Sequence, residues 1–140
     1  MPEENVKEEL NPAVVMQEIS KLPGAPTEDQ IKSWKTEYKA GIFISAMDAE
    51  EVYIFRPLMR KEYKAIQQEQ AELQAKAQQQ NIPIPAGWFE EKVIATCLLW
   101  ASQKDALELK GGSVEAVLEQ IMSRSNFMNP GVAAQLVVKL

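Results

Sequence analysis

Apolar residues recur along this chain with two different periods, and the changes of period mark its elements. Asn11-Pro12 reads as a helix start, Asn capping the free backbone N–H groups and Pro suiting the first helical position. A short helix through Val14, Val15, Ile19 and Leu22 follows, stopped by Pro23-Gly24-Ala25-Pro26. Thr27-Glu28-Asp29-Gln30 matches a capping box, and Ile31, Trp34 and Tyr38 then form one apolar stripe that Gly41 closes. Beyond Gly41 the period shortens. Ile42-Phe43-Ile44 and Glu51-Val52-Tyr53-Ile54-Phe55 flank a short polar tip, which predicts an antiparallel hairpin over about 42–56. Val52, Ile54 and Arg56 fall on one face of it and Tyr53 and Phe55 on the other; Pro57 ends the strand because it lacks the ladder donor. A lone hairpin is marginal in water, so one face has to pack on a helix.

Helical spacing returns from Met59 to Gln80. Met59, Tyr63 and Ile66 make a stripe, after which Leu73 stands almost alone among Gln, Glu, Lys and Ala, residues that favour helix without offering an apolar face. Asn81 to Gly87 is an extended break. From Trp88 to Ser102, Phe89, Val93, Ile94, Cys97, Leu98, Leu99 and Trp100 wrap most of the circumference, which predicts a buried central helix. Ser113, after Gly111-Gly112, caps a last clear helix with the stripe Val114, Val117, Leu118, Ile121 and Met122. Asn129-Pro130 starts a final turn bearing Val132, Leu136, Val137 and Val138. The expected architecture is α+β and mostly α: a small helical domain over 11–140 with one hairpin packed on helices. Residues 1–10 form an acidic, solvated arm, and 129–140 a candidate docking tail. Trp34, Tyr38, Phe55, Cys97, Trp100, Leu118, Ile121 and Phe127 are the expected core.

Composition narrows the chemistry. Of the 140 residues, 20 are acidic and 15 basic, a formal charge of -5 that argues against a nucleic-acid module with its usual basic stripe. No apolar run approaches the roughly 18 residues that span a bilayer, and MPEENVKEEL is the opposite of a signal peptide. One cysteine excludes an internal disulfide, which fits a reducing cytosol. Histidine is absent, and with it the usual general base near neutral pH and the commonest metal ligand.

The remaining candidates each have an ordinary explanation. Cys97 sits in the most apolar stretch and reads as a packed side chain, since a nucleophile needs an electropositive, accessible niche. Glu90-Glu91 and the group Asp48, Glu50 and Glu51 lack the alternating spacing of a calcium loop and read as solvated surface. Gly111-Gly112-Ser113 lacks the P-loop lysine, which leaves capping. Trp34, Trp88 and Trp100 read as core anchors whose indole N–H groups need partners if buried. The basic run Arg56 to Lys61 admits two explanations, a contact for an acidic partner or a local lock with Glu62. No catalytic, cofactor-binding or metal-ligating residue is expected. Candidates for partner contact are Arg56, Arg60, Met122, Met128, Val132, Leu136 and Val137.

Three strings in fixed order carry a family likeness: APTEDQIKSWKTEY running into GIFISAMDAEEVYIFRPLMRKEYKAI, then WFEEKVIATCLLW, then SVEAVLEQIMSRSNF. Together, from about Ala25 to Phe127, they resemble the small tail and baseplate assembly proteins of tailed bacteriophages, described as tail assembly chaperones or baseplate hub assembly proteins. The likeness includes an F-R-P-x-x-R-x-E corner (Phe55, Arg56, Pro57, Arg60, Glu62), a central helix with Cys97, Leu99 and Trp100, and a closing helix with Ser125 and Phe127. Ala101 departs from it, since relatives are expected to carry proline after the tryptophan. The resemblance implies a non-enzymatic protein without cofactor, in the host bacterial cytoplasm, that binds another tail or baseplate protein. The alternative is a structural subunit retained in the virion, at the baseplate, tail or neck; an enzyme or nucleotide binder is the third possibility.

Overall fold

The computed structural model describes residues 11–46, 51–102, 111–127 and 130–140. Helix α1 (Pro12–Ser20) begins as its first residues dictate, with Asn11 Oδ1 accepting from the Ala13 N–H at 2.9 Å and Pro12 at the first helical position. Helix α2 (Glu28–Glu37) is capped by Thr27, whose Oγ1 accepts from the Gln30 N–H at 3.1 Å. Gly41, at φ +103°, then turns the chain into strand β1 (Phe43–Ala46) through a conformation that a Cβ would strain.

Strand β1 pairs antiparallel with β2 (Val52–Phe55), in the register Phe43↔Phe55, Ile44↔Ile54, Ser45↔Tyr53, Ala46↔Val52. The hairpin and its division into two faces are as expected. The sheet has a third member, however. The apolar run expected to be one helix from Trp88 to Ser102 is helix α4 (Trp88–Cys97) continued directly by strand β3 (Leu98–Ala101) on the far side of β2. A continuous apolar run suits a buried strand as well as a buried helix, so periodicity does not separate them. The unpaired backbone of β2 decides the outcome: Val52 C=O accepts from Ser102 N–H at 2.9 Å, and Arg56 N–H donates to Cys97 C=O at 3.0 Å. The register Tyr53↔Ala101, Ile54↔Trp100, Phe55↔Leu98 leaves Leu99 as the extra residue of a bulge.

Helices α3 (Arg60–Gln80), α4 and α5 (Gly111–Arg124) cover one face of this sheet. Tyr53 and Phe55 meet Leu58, Ile66, Val93, Ile94, Cys97, Val117 and Ile121 there in one buried cluster. Of the expected stripe Met59, Tyr63 and Ile66, Ile66 is buried, Tyr63 is half-buried and Met59, at the cap of α3, is exposed. At the midpoint of α3 Glu69 meets Lys92 of α4 at 2.9 Å in a half-exposed ion pair, and the helix ends at Asn81 in the left-handed conformation. Helix α5 starts at Gly111, so Ser113 lies in its first turn rather than at its cap. Helix α6 (Pro130–Gln135) closes the fold.

The second face of the sheet belongs to the N-terminal helices. Ile19, Ile31, Val52 and Ile54 are buried outside the main cluster, and two specific contacts seat α1 and α2 on this side. The Trp100 indole N–H donates to Gly24 C=O at 3.0 Å, and the Tyr38 ring lies 4.7 Å from the Arg56 guanidinium.

Candidate interaction surface

The basic corner is where the sequence left two explanations open, and the structure turns Arg56 inward. Pro57 ends β2 and Met59 opens α3, so the chain bends sharply and brings Arg56 over the first turn of the helix. Its guanidinium binds Glu62 through two parallel hydrogen bonds, Nη1 to Oε1 at 2.8 Å and Nη2 to Oε2 at 2.7 Å. Nη2 also donates to Thr96 C=O at 2.9 Å and Nη1 to Pro57 C=O at 3.2 Å. With this side chain about nine-tenths buried, Arg56 is a brace between β2, α3 and α4 rather than a surface for a partner. Glu62 completes the corner by accepting from the Met59 N–H at 3.0 Å, which also caps α3. The Arg56 hydrogen bonds hold the Glu62 carboxyl below its ordinary range against the opposing effect of burial; the same pair raises Arg56.

Cys97 touches this corner from below. It is fully buried, and burial pushes its thiol up to about 11. That is the packed side chain expected, with almost no thiolate at neutral pH.

Glu51 departs from its expected place on the solvated surface. It is 1% exposed, and Oε2 accepts hydrogen bonds from the Tyr53 hydroxyl and the Ser113 hydroxyl, both at 2.7 Å. The carboxylate thereby ties the start of β2 to the first turn of α5, a favourable end of the helix for negative charge. No periodicity signals such a residue, because it is the sheet that brings Glu51 and Ser113 together across the sequence. Asp48 and Glu50, grouped with it in the sequence, lie outside the described residues, as do Met128, the Val132 side chain and the arm at 1–10.

Arg60 points outward. At the first position of α3 it borders, with Lys64 one turn on, a cleft of about 320 Å³ floored by Leu58, Tyr63 and Phe127. The Tyr63 and Phe127 rings meet edge-on with centroids 4.8 Å apart, and the Leu58 N–H donates to Ser125 Oγ at 2.8 Å, so the end of α5 is pinned to the corner. Phe127, expected in the core, is therefore the partly exposed wall of this cleft. Met59 beside it is also exposed. Met122 is half-buried against the main cluster. Of the other expected core residues, Phe55 and Ile121 are fully enclosed, while Trp34, Tyr38, Trp100 and Leu118 are half-buried.

Leu136 and Val137 are exposed, as are Val138 and Leu140 beyond them. A larger groove of about 600 Å³ lies between α1 and β1, walled by Val14, Val15, Ile19 and Leu22 on one side and Ile42 and Ile44 on the other. Among the described residues no group of three or more His, Cys, Asp or Glu side chains is arranged to hold a metal ion, and no helix is long and apolar enough to cross a membrane. Compared with known protein families, curated proteins and solved structures, the chain finds no match.

Proposed function

We propose that this chain is a non-enzymatic assembly factor of a phage tail or baseplate, working in the host bacterial cytoplasm by holding another tail protein. The family likeness of the three ordered strings motivates the phage context. The observation that carries the binding role is the cleft built on the F-R-P-x-x-R-x-E corner. Its internal half, Arg56 with Glu62, fixes the bend, and its external half, Arg60 with Lys64, rims an aromatic floor. An apolar floor with cationic edges suits a helix or extended segment that carries one large apolar anchor flanked by acidic residues. Met59, adjacent in sequence to Leu58 and Arg60, is exposed as well and offers an adaptable apolar contact.

Co-expression of the tagged chain with the neighbouring tail genes tests this. Mass spectrometry of the captured material should identify a tail or baseplate component, and the double variant R60E/K64E should weaken that capture by roughly 10-fold or more. The same variant should keep the parent's circular dichroism and melting temperature, because both side chains are on the surface. Recovery of no tail component overturns the proposal. A fixed copy number in purified particles would instead make the protein a structural subunit.

A further inference from the structure

Between the start of α4 and the length of α5 runs a groove of about 460 Å³ whose floor and walls differ in kind. The floor is apolar. Val114, Leu118 and Met122 follow one another at every fourth position of α5, a row about 12 Å long. All three are half-buried against the main cluster, so part of each side chain stays uncovered. The walls are acidic. Glu90 and Glu91 stand in the first turn of α4, and Glu115 and Glu119 lie one turn apart on α5. Among the described residues no lysine or arginine lines the groove, and none of the four carboxylates is in an ion pair. Two cations close to them in sequence are engaged elsewhere, Lys92 with Glu69 and the Trp88 ring and Arg124 with the Phe43 ring.

The needs of the fold do not account for this charge. Acidic residues in a first turn complement the helix dipole, which explains Glu90 and Glu91, but Glu115 and Glu119 lie beyond the first turn of α5. Like charges four residues apart repel, so that pair costs the free chain stability. Cations lodged between the walls would turn the same repulsion into attraction. A single metal ion does not answer, since no group among the described residues is arranged to hold one. What fits is a cation spread along an apolar row. A helix whose apolar stripe is bordered by Lys or Arg lays the stripe on the floor and the aliphatic stems along its margins, and brings its charged heads to both walls. A groove between two packed helices admits a third at ordinary helix spacing.

We propose that the α4–α5 groove is a docking site for a basic amphipathic helix of a partner protein, seated on Leu118 and Met122 and held by the carboxylates of both walls. Met122, offered by the sequence as a partner contact, thereby takes that role on this surface. The groove shares no lining residue with the cleft at Arg60, whose cationic rim would repel the same helix. The assignment is therefore independent of the phage reading, and either can fail without the other.

The probe is a fluorescent synthetic peptide of about 14 residues, four helical turns of leucine and lysine with the leucines on one face. Titration with the purified chain should raise its anisotropy to saturation. E115Q/E119Q should weaken binding by roughly 10-fold or more, whereas E28Q/D29N, which neutralises two exposed carboxylates on α2, should leave it unchanged. Because the repelling pair is gone, E115Q/E119Q should also melt no lower than the parent. A site built for a ligand loses binding without losing stability. Four results overturn the proposal: no binding, equal losses in the two variants, or equal affinity for a lysine–serine peptide of the same length and charge, which marks attraction to the net negative chain alone. The fourth is a dimer in light scattering that E115Q/E119Q dissociates, which makes a second copy the occupant.

Discussion

The two faces of the three-stranded sheet are finished in different ways. On one, Tyr53 and Phe55 are enclosed by three helices, and Val93, Cys97, Val117 and Ile121 have no exposed surface. On the other, α1 and α2 rest on Ile54 and Val52 but leave a groove of about 600 Å³ along the sheet's edge. The packed face holds the fold together. The looser one has apolar surface to spare, and the Arg56 brace joins the two by reaching Glu62 on one side and Tyr38 on the other.

Truncation separates the faces most sharply. Phe55→Ala removes a ring stacked 5.8 Å from Phe43 in a site that cannot collapse, and should cost about 3–5 kcal/mol, read from urea unfolding. Val14→Ala on the groove wall should stay within about 0.5 kcal/mol of the parent. Similar losses for the two would erase the distinction between the faces. Cys97 probes the packed face without altering it. Raising a thiol from 9.0 to about 11 cuts its thiolate fraction roughly 100-fold at mildly alkaline pH, and burial adds a steric block. A disulfide reagent should therefore label the native chain at least that much more slowly than the unfolded one.

The brace gives an effect smaller than that of Phe55 and adds a pH signature. Glu62→Gln should lower stability by about 1.5–3 kcal/mol near neutral pH, since it removes a charged partner from a buried guanidinium. Because the folded-state pKa of Glu62 lies below its ordinary 4.5, its contribution is complete above that value and is lost as pH falls through the folded one. Urea midpoints of parent and variant should thus converge in acid. Curves that stay parallel across that range would show that the ion pair is not what Glu62 supplies.

The elements that follow from local rules were legible in the sequence. Asn11-Pro12 and Thr27 start their helices by side-chain caps that need only neighbouring residues, and the alternation around Tyr53 sets the hairpin faces. What escaped depends on partners distant along the chain. Leu98 to Ala101 becomes a strand because β2 has a second edge to satisfy. Glu51 becomes buried because Tyr53 and Ser113 bring it two hydroxyls. Arg56 and Arg60 look alike as cations in one short run, and only the bend at Pro57 assigns the first to the interior and the second to solvent.

The junction at Cys97 and Leu98 carries a consequence for how this molecule tolerates change. A helix that becomes a strand with no loop between them has no slack in which to absorb an added or missing residue. One residue gained there would exchange the sides on which Leu98, Trp100 and Ala101 stand, putting an indole where the interior has room for a methyl group. Spacing from Trp88 to Ala101 is therefore held more tightly than the identity of any one aliphatic within it.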